Sequence, residues 1–182
     1  MLQATPLHFL FALRPVTCYH LTGLYVMPEY GISVQIESEF SGLVDEDWLR
    51  ALAERTLVMA GVTGPVEMGL VIAGDETVRD LNRSYREVDD TTDVLAFGFL
   101  EPGSPEDGDF ITPPDERLNL GEVIVSYTRA KRQAAEHNHP LEQELALLVA
   151  HGTLHLLGYD HADPEAGQRM QAMEARVVDS IG

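Results

Sequence analysis

Three of the chain's seven histidines fall within the stretch HGTLHLLGYDH, residues 151 to 161. His151 and His155 stand four apart, and His161 follows six residues later, beyond Gly158. On a helix, residues four apart project from one face a turn above each other, so both imidazoles can reach one ion at about 2.0–2.1 Å. Gly158 permits the left-handed backbone that ends such a helix, after which the chain can swing His161 back to the same ion. Three neutral imidazoles favour zinc, although nickel or copper would also accept them. Three protein ligands leave a fourth position for water, the arrangement of a catalytic rather than a structural ion. The expected cofactor is one Zn2+ on His151, His155 and His161, with water as the fourth ligand.

This is also the ligand spacing of zinc proteases that read HExxHxxGxxH, in which the glutamate is the general base. Here that position is Gly152. The metal site is therefore expected to work without the protease base. Asp160, beside His161, is a candidate to orient that ligand, with a solvated turn aspartate as the alternative. Tyr159 suits core packing better than contact with a bound group.

At 182 residues the chain can bury a core as one domain, and its 45% hydrophobic and 23% charged residues are ordinary for a globular protein. No apolar run approaches the roughly 18 residues of a membrane span. The one cysteine, Cys18, cannot form an internal disulfide, which fits a reducing cytoplasmic setting. A formal charge of -18 should repel nucleic acid at long range, but it is unevenly spread. Glu101 to Asn119 holds six acidic residues and four prolines against Arg117 alone. Arg129, Lys131 and Arg132, with His137 and His139, make a basic segment, and Arg79, Arg83 and Arg86 make a second at helical spacing. Residues 1–26 lack the basic n-region of a secretory signal, and Met27 is the expected start of the domain, 27–182, with 1–26 an extension outside it.

After Met27, strand and helix patterns alternate. YGISVQIE (30–37), the stretch 65–73, DVLAF (93–97) and LGEVIVS (120–126) suit strands. A helix from Asp45 to Ala60 would turn Trp48, Leu49, Leu52 and Val58 inward. Asp75 is the expected N-cap of a helix to Tyr85, with Val78, Leu81 and Tyr85 inward. Helices follow from Thr128, from Pro140 in its first turn to a stop at Gly158, and from Pro164 to Val178 with Met170, Met173 and Val177 inward. The acidic, proline-rich segment should be a surface loop. The fold class is α/β (α+β), with about four strands in a mixed sheet, about five helices and a central helix carrying His151 and His155.

HGTLHLLGYDH resembles the signature of the YbeY-type endoribonucleases, single-strand-specific enzymes of bacterial ribosomal RNA maturation. LNRSYREVDDTTDVLAF (81–97) and LGEVIVS support the resemblance, which covers about residues 30 to 180. It implies zinc on His151, His155 and His161, and Arg86 serving the substrate phosphate, where a guanidinium matches phosphoryl oxygens bidentately. It also implies cytoplasmic action on single-stranded and ribosomal RNA, with the small ribosomal subunit and its proteins as partners and neither DNA nor membrane. The family's strand usually ends in Ser-Phe-Pro, whereas this chain has Ala96, Phe97 and Gly98, and its acidic loop is longer than usual.

A phosphodiester does not need the protease glutamate, because a metal ion can itself acidify water and polarise a phosphoryl oxygen. Attack by water and attack by the RNA's own 2′-hydroxyl both stay open, and Glu122 and Asp160 are candidates for a general base. Two rival functions remain: a non-catalytic zinc-containing ribosome-assembly factor, and a zinc peptidase-like hydrolase with its base elsewhere. Binding of the small subunit without RNA cutting would favour the first; cleavage of casein would favour the second.

Overall fold

The computed structural model describes residues 29–99 and 117–181. The expectations for residues 1–26 and for most of the acidic loop lie outside them. Along the chain run β1 (Tyr30–Ile36), α1 (Glu46–Met59), β2 (Val66–Ala73), α2 (Asp75–Arg86), β3 (Val94–Gly98), β4 (Leu118–Ser126), α3 (Tyr127–His137), α4 (Leu141–Leu156) and α5 (Pro164–Asp179). The sheet order is β1-β2-β4-β3; β1, β2 and β4 are parallel, and β3 pairs antiparallel with β4 at the edge. Parallel neighbours need a crossover, which α1 supplies between β1 and β2. The architecture is a single α/β domain of four strands and five α-helices among the described residues.

The strands' two-residue period divides the core. Met68, Leu70, Ile72, Val123 and Val125 face one side with α1 and α4, while Ala73, Leu95 and Ile124 face the other with Val78 of α2. Helix α4 is buried on nearly every side: it packs on α1, α3, α5, β3 and β4. Its ten buried residues include Leu145, Val149, Leu154 and Leu156. This is the apolar central helix expected from the sequence.

The end of α4 follows its chemistry. Gly158 takes φ 84°, Gly158 N–H donates to the His155 carbonyl and Tyr159 N–H to the Leu154 carbonyl, each at 3.0 Å. These are the paired bonds of a glycine-terminated helix. Asp163 then caps α5, its Oδ1 accepting from the N–H groups of Glu165 and Ala166 at 2.9 and 2.8 Å.

Three local expectations are corrected. The N-cap of α2 is Gly74; Asp75 is the first helical residue, and its Oδ1 accepts from Ser126 Oγ at 2.5 Å, tying the start of α2 to the start of α3. Tyr85 is 71% exposed: in the last turn of α2 it rests its ring on Phe97 of the edge strand β3, at 5.1 Å, instead of entering the core. Val58 is 56% exposed, since α1 turns Leu49, Leu52, Ala53 and Leu57 to the core instead.

Candidate metal centre

His151 and His155 lie in the last turns of α4, and His161 lies in the connection to α5. One ring nitrogen from each comes within 4.8 Å of the others. The rings of His151 and His161 stack at 5.4 Å, and His155 stands edge-on to both. The structure thus brings together all three histidines that the spacing singled out.

A fourth residue, not foreseen from the sequence, organises them. Glu174 of α5 is 7% exposed, and its Oε1 lies 2.7 Å from His151 Nδ1. A carboxylate accepts, so Nδ1 carries the proton and Nε2 is left with a lone pair. That Nε2 lies 3.0 Å from His155 Nε2, close to the roughly 3.3 Å between two nitrogens on one tetrahedral ion. Burial first, and then the neighbouring His151, lower the His155 pKa and so favour its neutral, ligating form. Three imidazoles with converging nitrogens, one of them oriented by Glu174, fit a zinc ion. The signal for Glu174 was present: it falls between Met170 and Val177 on the buried stripe of α5, where a lone carboxylate needs a partner.

Substituting Glu174 should therefore act through His151. Glu174→Ala is expected to weaken metal affinity about 10–100-fold, and Glu174→Gln, whose amide oxygen still accepts, to recover part of the loss. Competition against a chromophoric chelator measures both.

The remaining candidates separate. Asp160 is exposed, and its Oδ1 accepts from the His161 N–H at 2.6 Å, so it shapes the backbone that presents His161. Tyr159 packs against the core, as expected. Glu122 lies over Gly69 on the sheet face turned away from α4, whereas its neighbour Val123 points at Gly152. It is thereby removed from the histidines and is not their base.

Gly152 explains the absent protease glutamate. A Cβ there would overlap Val123 Cγ1 and crowd Val123 Cγ2 and Val94 Cγ2, each at 3.1 Å. The helix bearing the ligands can rest on β3 and β4 only because this position has no side chain. Arg86 stands at the opposite side of β3: exposed in the last turn of α2, it donates from NH2 to the Ala96 carbonyl at 3.4 Å. Ala96 lies between Val94, which meets Gly152, and Gly98, which lies beside Leu156. The strand carrying Arg86's acceptor therefore runs along the turn of α4 that carries His155.

The model of the family described as Endoribonuclease YbeY matches residues 33–182. The chain belongs to the YbeY endoribonuclease family. It is 43% identical over 145 residues to an Endoribonuclease YbeY of Dehalococcoides mccartyi, covering 78% of this chain and 84% of the relative. It is 40% identical over 155 residues to that of a Roseiflexus species, covering 85% and 94%. A Thermotoga maritima protein solved in solution has a similar fold, with a TM-score of 0.54 and 27% identity over 81% of this chain and 87% of that one. As a YbeY family member, the chain is a nuclease-class hydrolase whose histidine cluster suits a metal ion. No helix among the described residues is long and apolar enough to cross a membrane.

Proposed function

We propose that this protein is a zinc-dependent endoribonuclease that cuts single-stranded RNA in the cytoplasm, acting in ribosomal RNA maturation and ribosome quality control. The observation that carries the reading is the convergence of His151, His155 and His161, with Glu174 setting the His151 tautomer, in a YbeY family chain. His151, His155 and His161 would hold the zinc, which when bound supplies Lewis acidity toward water and a phosphoryl oxygen.

The protein's own residues do the rest. Glu174 keeps the proton on His151 Nδ1, so that Nε2 stays available. Arg86 binds the scissile phosphate, its planar fork matching two oxygens and offsetting the charge that builds on them. Its weak 3.4 Å bond to Ala96 is easily exchanged for a phosphate. The RNA brings a 2′-hydroxyl of its own, so the nucleophile is either that oxygen or water, and the site suits both.

The formal charge of -18 favours one addition to this reading. Such a protein is suited to docking on basic proteins of the small ribosomal subunit, whether or not it also cuts.

The test is cleavage of a short labelled single-stranded RNA by wild type, by chelator-treated protein and by Arg86→Ala. Cutting should vanish on chelation and fall about 10²–10³-fold in Arg86→Ala with metal content unchanged. Wild type that retains zinc, binds the small subunit and leaves RNA intact would replace the enzyme with an assembly factor.

A further inference from the structure

At the other end of α4 lies a second cluster of potential metal ligands, separate from the triple-histidine cluster. Helix α3 ends at His137, and Asn138 follows with φ 59°, a left-handed conformation that asparagine tolerates. This turn brings both His137 and His139 over the first turn of α4, where Glu144 is 3% exposed. Donor atoms of the three lie within 4.8 Å of one another.

Glu144 Oε2 is shielded from solvent and makes no hydrogen bond. Its neighbours are His139 Nε2 at 2.9 Å and His137 Nδ1 at 3.8 Å. A buried carboxylate oxygen whose polar neighbours are these two ring nitrogens calls for a positive charge among them. The tautomer sharpens this demand. His139 Nδ1 lies 3.1 Å from the Pro140 carbonyl, which can only accept, so Nδ1 carries a hydrogen and Nε2 is the ring atom that faces Oε2. A ring nitrogen and a buried carboxylate oxygen at that separation are held together by a positive charge, which a metal ion bound to both would supply. The 2.9 and 3.8 Å spacings bracket the roughly 3.3 Å expected between ligands of one tetrahedral ion.

We propose that His137, His139 and Glu144 form a second divalent metal site, of the two-imidazole, one-carboxylate class that takes zinc. Glu144 and Glu142, both in the first turn of α4, offset the positive helix end that would otherwise oppose a cation. Glu144 precedes His151 by seven residues, about 10 Å along the axis, so the two sites are separate ions rather than one binuclear centre. Bound there, the ion clasps α3 to α4 at the end remote from the triple-histidine cluster.

The test strips the full chain of metal, titrates it with Zn2+ and counts ions per chain by native mass spectrometry. Wild type should hold two, His139→Ala one, His155→Ala one, and the double variant none. His137→Ala, at an exposed position, should leave the fold intact and weaken the second ion at least ten-fold. In the His155→Ala background, zinc should raise the melting temperature, and that rise should vanish when His139→Ala is added. A single ion in wild type that His139→Ala leaves in place, and that His155→Ala removes, would overturn the second site while sparing the first. The Glu144 contact would then be an imidazolium–carboxylate pair.

Discussion

Gly152→Glu, the change that completes the protease pattern HExxHxxGxxH, should yield no folded protein and no peptidase. The side chain at 152 has nowhere to go: Val123 Cγ1 and Cγ2 and Val94 Cγ2 already fill the space of its Cβ. Val123 is fully buried in the middle of β4 and, being β-branched, cannot rotate aside cheaply. A glutamate would add an unpaired buried charge to this overlap. Even Gly152→Ala, which by helix propensity alone would gain about 1 kcal/mol, should lose about 1–3 kcal/mol through overpacking. Urea denaturation of Gly152→Ala and the soluble yield of Gly152→Glu measure the two effects. An alanine variant as stable as wild type would mean that α4 does not sit on the sheet as described.

His155→Ala should remove the ion from the triple-histidine site and, with it, RNA cleavage. A bound metal is worth several kcal/mol of transition-state stabilisation, so the rate should fall about a thousand-fold or more. Stability should change little beyond the loss of metal, since the ring is only half buried and its helix is held by Leu145, Val149, Leu154 and Leu156. Metal content, circular dichroism and single-turnover cleavage on the same preparation separate these effects. A folded, metal-depleted variant that still cuts within ten-fold of wild type would place the chemistry elsewhere.

How far the sequence disclosed this centre depended on what each residue obeys. His151, His155, Gly158 and His161 follow local rules of helix period and helix ending, and the structure assembles them as those rules require. The strands were legible because alternation is local too. Facts that depend on which elements meet were not legible. Tyr85 has the right helical period to be buried, but it meets the edge strand at Phe97 and stays exposed. Glu122 lies on a strand with candidate chemistry, but which face of β4 would meet the histidines depended on where α4 docks. Glu174 is nineteen residues beyond His155, and only the packing of α5 on α4 brings it to His151. Gly152 showed what was missing from the protease pattern, and only Val123 and Val94 show why.

The glycine-terminated end of α4 and the aspartate cap of α5 enclose the connection that carries His161 between two fixed points. Two ligands on a buried helix and a third on so short a tether are positioned by packing and caps that do not involve an ion. Small zinc domains gather their ligands only as they fold, and chelators denature them. Here the core and the helix caps hold the ligand-bearing elements, so ordering and metal capture should be uncoupled. The apoprotein should therefore keep its far-ultraviolet spectrum and cooperative melting after chelation, and regain cleavage on adding zinc back without a refolding step.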